Sequence, residues 1–199
     1  WLLPNAEALL IRLDISRGRL EKVEQWLVRH DGTELDRCCP DSAYLVHTKA
    51  QALLALGRFR EAAMLTEDLL HSIEGDCRPI DRIEYLLDGA LACERMGDAV
   101  SARSKVHDAL VLAQPYGYVR LFADRGAPML ALLDRFARET ILPEELTSFW
   151  RRCVEAARQF SLLFPALYAP AGKEEEPLQL TRTEVQVLHL LAEGKTNRE

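Results

Sequence analysis

The chain has 199 residues, 48% hydrophobic and 28% charged, so it is long enough to bury a core in one or two soluble globular domains. Its 25 basic and 31 acidic residues give a net charge of -6, so the chain as a whole is not expected to attract the phosphates of nucleic acids. Apolar runs fall short of the ~20 residues of a membrane span, and no secretory signal is found, so a cytoplasmic protein without a membrane partner is expected. Because the chain starts at Trp1, a fragment of a longer protein is predicted.

The five cysteines are odd in number and contain no CxxC motif, so neither a disulfide framework nor a common zinc pattern is indicated. Metal binding by Cys38 and Cys39, which lie near His30 and Asp31, is the alternative to reduced thiols. Reduced thiols without a metal are the prediction.

Three glycines, Gly18, Gly57 and Gly97, divide the first part of the chain into pairs of amphipathic segments. The apolar residues expected to be buried before each glycine are Leu9, Leu10, Leu13, Val46, Ala50, Leu53, Leu54, Ile83, Leu86, Leu87 and Ala90. Those after each glycine are Leu20, Val23, Leu27, Phe59, Ala62, Leu69, Leu70, Ala99, Ala102, Val106, Ala109 and Leu110. Each unit is predicted to be helix, glycine turn, helix. Since one hairpin cannot cover both of its apolar stripes, successive hairpins should stack into a solenoid.

The segment from Leu56 to Ala62, LGRFREA, resembles the turn of a tetratricopeptide repeat, with Gly57 in the turn and Ala62 where the second helix packs closely. The period exceeds the usual ~34 residues, which implies longer loops between hairpins. Such solenoids commonly hold a peptide along their concave face. A protein–protein interaction scaffold without a DNA role is therefore the alternative function.

Residues 114–126 interrupt the helical pattern with Pro115, Gly117 and Gly126. Further helices are predicted around Pro128 and after Pro143. The sequence Gly117-Tyr118-Val119-Arg120-Leu121-Phe122, followed by Asp124, Gly126 and Leu130 to Leu133, resembles the segment that joins the repeats to the DNA-binding domain in large ATP-dependent LuxR regulators, the MalT-like group. Residues 165–179 carry three prolines and the charged run Lys173 to Glu176, which predicts a linker.

The last twenty residues, 180–199, contain two helix starts. Thr181 with Glu184 forms a capping box, an apolar stripe follows, and Gly194 is suited to end the helix. Thr196 to Glu199 is a second capping box, as at the start of a helix-turn-helix. The residues that resemble the first third of a LuxR-type DNA-binding domain are Leu180, Thr181, Glu184, Val185, Leu188, Leu190, Leu191, Ala192, Gly194, Asn197 and Glu199. A P-loop ending in Gly194-Lys195-Thr196 is excluded because position 189 is His189, not glycine, and no strand precedes it.

An enzyme is not expected, because the chain has no GxSxG, HExxH, GxGxxG or Walker motif. His47, His71 and His107 fall within helical segments, where surface exposure or ordinary hydrogen bonding is the expected role.

The predicted fold is all-α: a tetratricopeptide-like helical-hairpin solenoid over residues 1–164, the linker, and a truncated helix-turn-helix over 180–199. The resemblance implies a sensor that receives a small-molecule inducer or a regulatory protein and relays the signal to DNA in the full-length regulator. It also implies ATP at an N-terminal module outside this sequence, and no cofactor within it. DNA-backbone contacts are assigned to Lys195, Thr196, Asn197 and Arg198, and Trp26, Tyr44 and Tyr85 are candidate effector contacts.

Overall fold

A computed structural model describes residues 2–30, 40–73 and 78–168, and every regular element within these ranges is a helix. The first six helices are α1 (Leu2–Ser16), α2 (Leu20–Arg29), α3 (Pro40–Ala55), α4 (Phe59–Ser72), α5 (Pro79–Arg95) and α6 (Ala99–Ala113). A 3₁₀ turn, Gln114–Tyr116, leads to α7 (Val119–Ala123), α8 (Gly126–Glu139) and α9 (Glu144–Leu163). The predicted all-helical, tetratricopeptide-like region is confirmed. The helix-turn-helix over 180–199 and most of the linker lie outside the described residues, so those domain boundaries stay predictions.

The three predicted glycine turns connect α1 to α2, α3 to α4 and α5 to α6. Gly57 has φ +74°, a left-handed conformation that costs glycine little and other residues more. Its N–H donates to Leu54 O at 3.1 Å and the next amide, of Arg58, donates to Leu53 O at 2.9 Å, which is the Schellman ending of a helix. Gly18 and Gly97 also have positive φ. One local device therefore closes all three hairpins.

The hairpins stack through their first helices: α1 packs on α3, α3 on α5, and α5 also packs against α4 and α6. The buried positions in this stack include Ile15, Val23, Leu53, Leu87 and Val106. After α6 the chain forms a separate layer in which α9 packs on α7 and α8, with Phe122 and Phe149 edge to face at 6.0 Å. Contacts of α5 with α7 and α8 join this layer to the hairpins. Cys93 and Cys153 are buried thiols without a disulfide.

The stripe predicted for α1 was wrong in phase. Leu9 and Leu10 are 53% and 59% exposed, and Leu13 is also exposed, whereas Ile11 and Ile15 are buried. Helix α1 packs on α2 and α3 through the Ile11 face. The three leucines point away from both neighbours, because an apolar residue on a helix is buried only where another element covers it.

Beyond α9 the described chain turns back onto the body. Leu167 is 5% exposed, and its Cδ2 lies 3.2 Å from the position that a Cβ at Gly126 would occupy. Tyr168, the last described residue, has φ +53°. The first residues of the predicted linker are thus packed against the start of α8. No helix in the described part of the chain is long and apolar enough to cross a membrane.

Candidate functional site

The proposed DNA-contacting residues Lys195, Thr196, Asn197 and Arg198 lie outside the described residues. Of the aromatic residues suggested for effector binding, Trp26 and Tyr85 are 1% exposed and serve the core. Tyr44 is half-buried, with the Arg12 guanidinium 3.9 Å above the centre of its ring. None of the three aromatics lines the cavities of about 230, 410 and 610 Å³ in the described part of the chain.

Four charged or titratable side chains instead form a continuous polar chain, here called the buried polar chain, in which Arg12 is partly exposed and the other three are buried: Arg12, His47, Asp88 and Arg125. They come from α1, α3, α5 and the junction between α7 and α8, so each of the three hairpins and the C-terminal layer supplies one member. His47 is 2% exposed, Asp88 is fully buried and Arg125 is 1% exposed. Sequence reasoning treated His47 as ordinary and did not single out the other three. Charged side chains are almost never fully buried unless they are paired. The pairing of these four side chains is therefore the feature of the fold that most needs a chemical account.

Arg125 fixes the C-terminal layer to the third hairpin through three hydrogen bonds. Its Nε donates to Asp88 Oδ1 at 2.6 Å, its Nη2 to Glu84 O at 3.0 Å, and its Nη1 to Leu121 O at 2.5 Å. One guanidinium therefore joins a carboxylate and a carbonyl of α5 to the C-terminal end of α7. Lysine could not reproduce this fork, because its three donors leave from a single nitrogen.

Asp88 is the centre of the chain, since its second oxygen, Oδ2, lies 2.6 Å from Nε2 of His47. Burial by itself raises the pKa of this carboxyl, but the charge of Arg125 and the hydrogen bonds from His47 and Arg125 lower it to about 2. Asp88 is thus ionised at neutral pH, with both oxygens occupied by donors.

His47 is held on its other nitrogen by two competing groups. Nδ1 lies 3.2 Å from Glu84 Oε2 and 3.0 Å from Arg12 Nη2. Burial lowers the pKa of His47, but the charge of Glu84 and the hydrogen bonds with Asp88 and Glu84 outweigh burial, so the pKa is raised above 6.5. The carboxylates around the ring therefore favour its protonated form in spite of burial.

Arg12 ends the chain at the first hairpin and is tied to the second. Its Nε donates to Thr48 Oγ1 at 2.8 Å, and its Nη2 donates to Tyr44 O at 3.4 Å. The Tyr44 ring also lies beneath the guanidinium. At the opposite end, Tyr168 lies in the field of Asp88 and Arg125, and burial first, then the Asp88 charge, raises the pKa of its hydroxyl. The buried polar chain thus runs from α1 to the junction of α7 and α8, with the Tyr168 hydroxyl in its electrostatic field.

A separate groove lies where α5 packs between α4 and α6. Two adjoining cavities of about 410 and 610 Å³ share Arg82, Leu86 and Asp108. Lys105 of α6 bridges to Glu67 of α4 at 2.6 Å across one end of it. The groove is open and of mixed charge. Among the described residues no group of three or more His, Cys, Asp or Glu side chains is placed to hold a metal.

The stacked helical hairpins, each closed by a glycine turn, make up a helical-repeat domain of the tetratricopeptide type. The family model of the MalT-like TPR region matches residues 1–139, and the chain belongs to that family. The match ends with α8 and includes all four members of the buried polar chain. A MalT-like TPR region is a regulatory helical domain rather than a catalytic fold. A comparison with curated proteins finds no match.

Proposed function

We propose that this chain is the effector-sensing region of a LuxR-type transcriptional regulator, which relays the binding of a small molecule or a regulatory protein to a C-terminal helix-turn-helix. The observation that carries the proposal is the family match together with the buried polar chain inside it. Membership of the MalT-like family supports a regulatory role. The resemblance of residues 180–199 to the start of a LuxR-type domain supports DNA as the target.

The proposed relay is a shift between two packings of the solenoid. An effector shifts such an equilibrium only if it binds one state better than the other. The buried polar chain supplies the connection between the hairpins and the C-terminal layer, and packed interfaces of this kind change between discrete arrangements rather than deforming gradually. A change at the hairpins is in this way transmitted through Asp88 and Arg125 to α7 and α8, and on to the residues that follow Tyr168.

In this proposal the DNA-binding part extends past Glu199. A helix-turn-helix reads bases with its second helix, and residues 180–199 correspond to the helix before that pair and the opening of its first helix. Lys195, Thr196, Asn197 and Arg198 would contact phosphates, which position a protein on DNA without specifying sequence. We therefore expect no sequence-specific binding by the 199-residue chain alone.

The test is chromatin immunoprecipitation of the tagged full-length protein in its native cell, with Arg125→Met and Arg103→Met as a matched pair. Arg103 makes an ion pair of 3.0 Å with Glu139 between α6 and α8, but both side chains are more than a third exposed. The wild type and Arg103→Met should occupy the same set of specific sites. Arg125→Met, at equal protein level, should alter how that occupancy responds to growth conditions.

Failure of the wild-type protein to enrich any DNA sequence would contradict the regulator proposal and favour the scaffold alternative. Enrichment that is identical in all three proteins would leave the DNA role standing and contradict the relay through Arg125.

A further inference from the structure

Nδ1 of His47 lies between two groups that require opposite protonation states of this nitrogen. Glu84 Oε2, 3.2 Å away, is an acceptor and needs a hydrogen on Nδ1. Arg12 Nη2, 3.0 Å away, is always a donor and needs the lone pair of Nδ1. One nitrogen cannot satisfy both, so its protonation state decides which of the two is bound.

The other ring nitrogen, Nε2, is bound by Asp88, and the amide nitrogen of Gln51, one turn further along α3, is a longer contact at 3.4 Å. Nε2 lies 2.6 Å from Oδ2 of Asp88, whose other oxygen accepts from Arg125. Asp88 is ionised, as argued above, so Nε2 carries its hydrogen in both states of the ring. The uptake of one proton by His47 therefore takes place at Nδ1.

The two competitors belong to different hairpins. Arg12 is on α1 of the first hairpin and Glu84 is on α5 of the third, while His47 is on α3 between them. The groups that face the ring are Arg12 from α1, Gln51 from α3 itself, Glu84, Asp88 and the edge of the Tyr85 ring from α5, and, through Asp88, Arg125 and Tyr168. An imidazolium is attracted by the two carboxylates and repelled by Arg12.

We propose that His47 is a proton-operated selector: neutral His47 accepts a hydrogen bond from Arg12 and holds α1 against α3, whereas protonated His47 donates to Glu84 and releases Arg12. Proton uptake thereby tightens the second hairpin on the third and loosens the first on the second. Arg12 keeps its hydrogen bonds to Thr48 and to Tyr44 O and its position over the Tyr44 ring, so the first hairpin is loosened rather than detached. The raised pKa of His47 places the exchange above pH 6.5. The selector stands on the geometry of the ring. Its meaning as a signal, coupling the sensor to cytoplasmic pH, rests on the proposed function.

The experiment is a ¹⁵N NMR titration of the imidazole nitrogens in the 199-residue chain between about pH 5.5 and 8.5, because ¹⁵N shifts identify which ring nitrogen carries hydrogen. His47 should show Nε2–H throughout and gain Nδ1–H below a midpoint above 6.5. Glu84→Gln removes the attracting charge and should lower the midpoint by roughly one pH unit, whereas Arg12→Met removes the repelling charge and should raise it by roughly as much. Arg103→Met, remote and exposed, should leave it unchanged.

Opposite shifts in the two variants show that both groups act on the ring, and the change in packing is what separates a selector from a purely structural histidine. Hydrogen exchange gives a second readout on the wild type: after correction for intrinsic rates, amides of α1 should exchange several-fold faster below the midpoint than above it, and amides of α6 should not. A ring that keeps one protonation state over the whole range overturns the selector, as do midpoint shifts of the same sign in Glu84→Gln and Arg12→Met. Neither result affects the DNA-occupancy test of the proposed function.

Discussion

Arg125 and Asp88 form an ion pair of 2.6 Å in which neither side chain is exposed by more than 2%. The residues are 37 positions apart, and the pair joins α5 to the junction of α7 and α8. Desolvation of two such charges is costly and is offset only when the remaining donors are also used, as the bonds of Arg125 to Glu84 O and Leu121 O do here. The pair therefore specifies how the C-terminal layer docks as much as it stabilises the fold.

We predict that Arg125→Met destabilises the chain by roughly 3–5 kcal/mol, because it leaves the Asp88 carboxylate buried and unpaired on one side. Arg103→Met should cost less than about 1 kcal/mol, since its ion pair with Glu139 is partly exposed and screened. Urea unfolding followed by circular dichroism measures both. Equal losses in the two variants would contradict the assignment of Arg125 as the docking residue.

Because of Asp88, the free energy of unfolding should decrease as the pH is lowered into the acid range. The pKa of Asp88 is lowered from 3.8 to about 2 on folding, so the unfolded chain binds the proton first as pH falls. The corresponding stability, roughly 2 kcal/mol, is present above pH 4 and is lost between about pH 4 and pH 2.

The check is the slope of unfolding free energy against pH for wild type and Asp88→Asn, which has no carboxyl to titrate. The variant should be less stable at pH 7 and should lose less stability on acidification. A parallel slope in both proteins would show that Asp88 titrates normally.

Gly97 offers a test of the turn that is free of packing effects. Its φ is +83°, and a Cβ added there would meet no atom within 4 Å. Gly97→Ala should therefore cost roughly 1–2 kcal/mol from backbone strain alone. Gly97→Asn should cost less, because asparagine adopts the left-handed region more readily. If both substitutions are neutral by thermal unfolding, the turn does not require a positive φ.

The phase of α1 is tested by comparing Ile11→Ala with Leu9→Ala. Ile11 is 6% exposed and should cost roughly 2–5 kcal/mol on truncation, as should Leu53→Ala in α3. Leu9 is 53% exposed and should change stability by about 0.5 kcal/mol or less. Chemical denaturation of the three variants decides it: a larger loss for Leu9→Ala would restore the stripe predicted from the sequence.

The failure at α1 has a specific cause. Apolar residues occupy both faces of this helix, so periodicity alone allowed two stripes. Aligning the hairpins on their glycines gives the correct stripe for α1. Ala50 and Leu54 of α3 lie as many residues before Gly57 as Ile11 and Ile15 lie before Gly18, and all four are buried. Asp88 also left a signal in the sequence, as a lone charge within the apolar run Leu86 to Ala92.

The sequence by itself determined much of the local structure of this protein: the helix pairs of the first three hairpins, the three glycine turns between them, and the resemblance to a tetratricopeptide-like, MalT-type class, although α7 lies in a segment where the sequence indicated an interruption. These features depend on residues a few positions apart, and backbone conformation and helical periodicity act at that range. Only the tertiary structure decided that Arg12, His47, Asp88 and Arg125 meet. Their spacings of 35, 41 and 37 residues follow no helical period. Contact between the first three arises from the stacking of hairpins, which brings one turn of each first helix into register with the next, and Arg125 joins them because the C-terminal layer docks on α5.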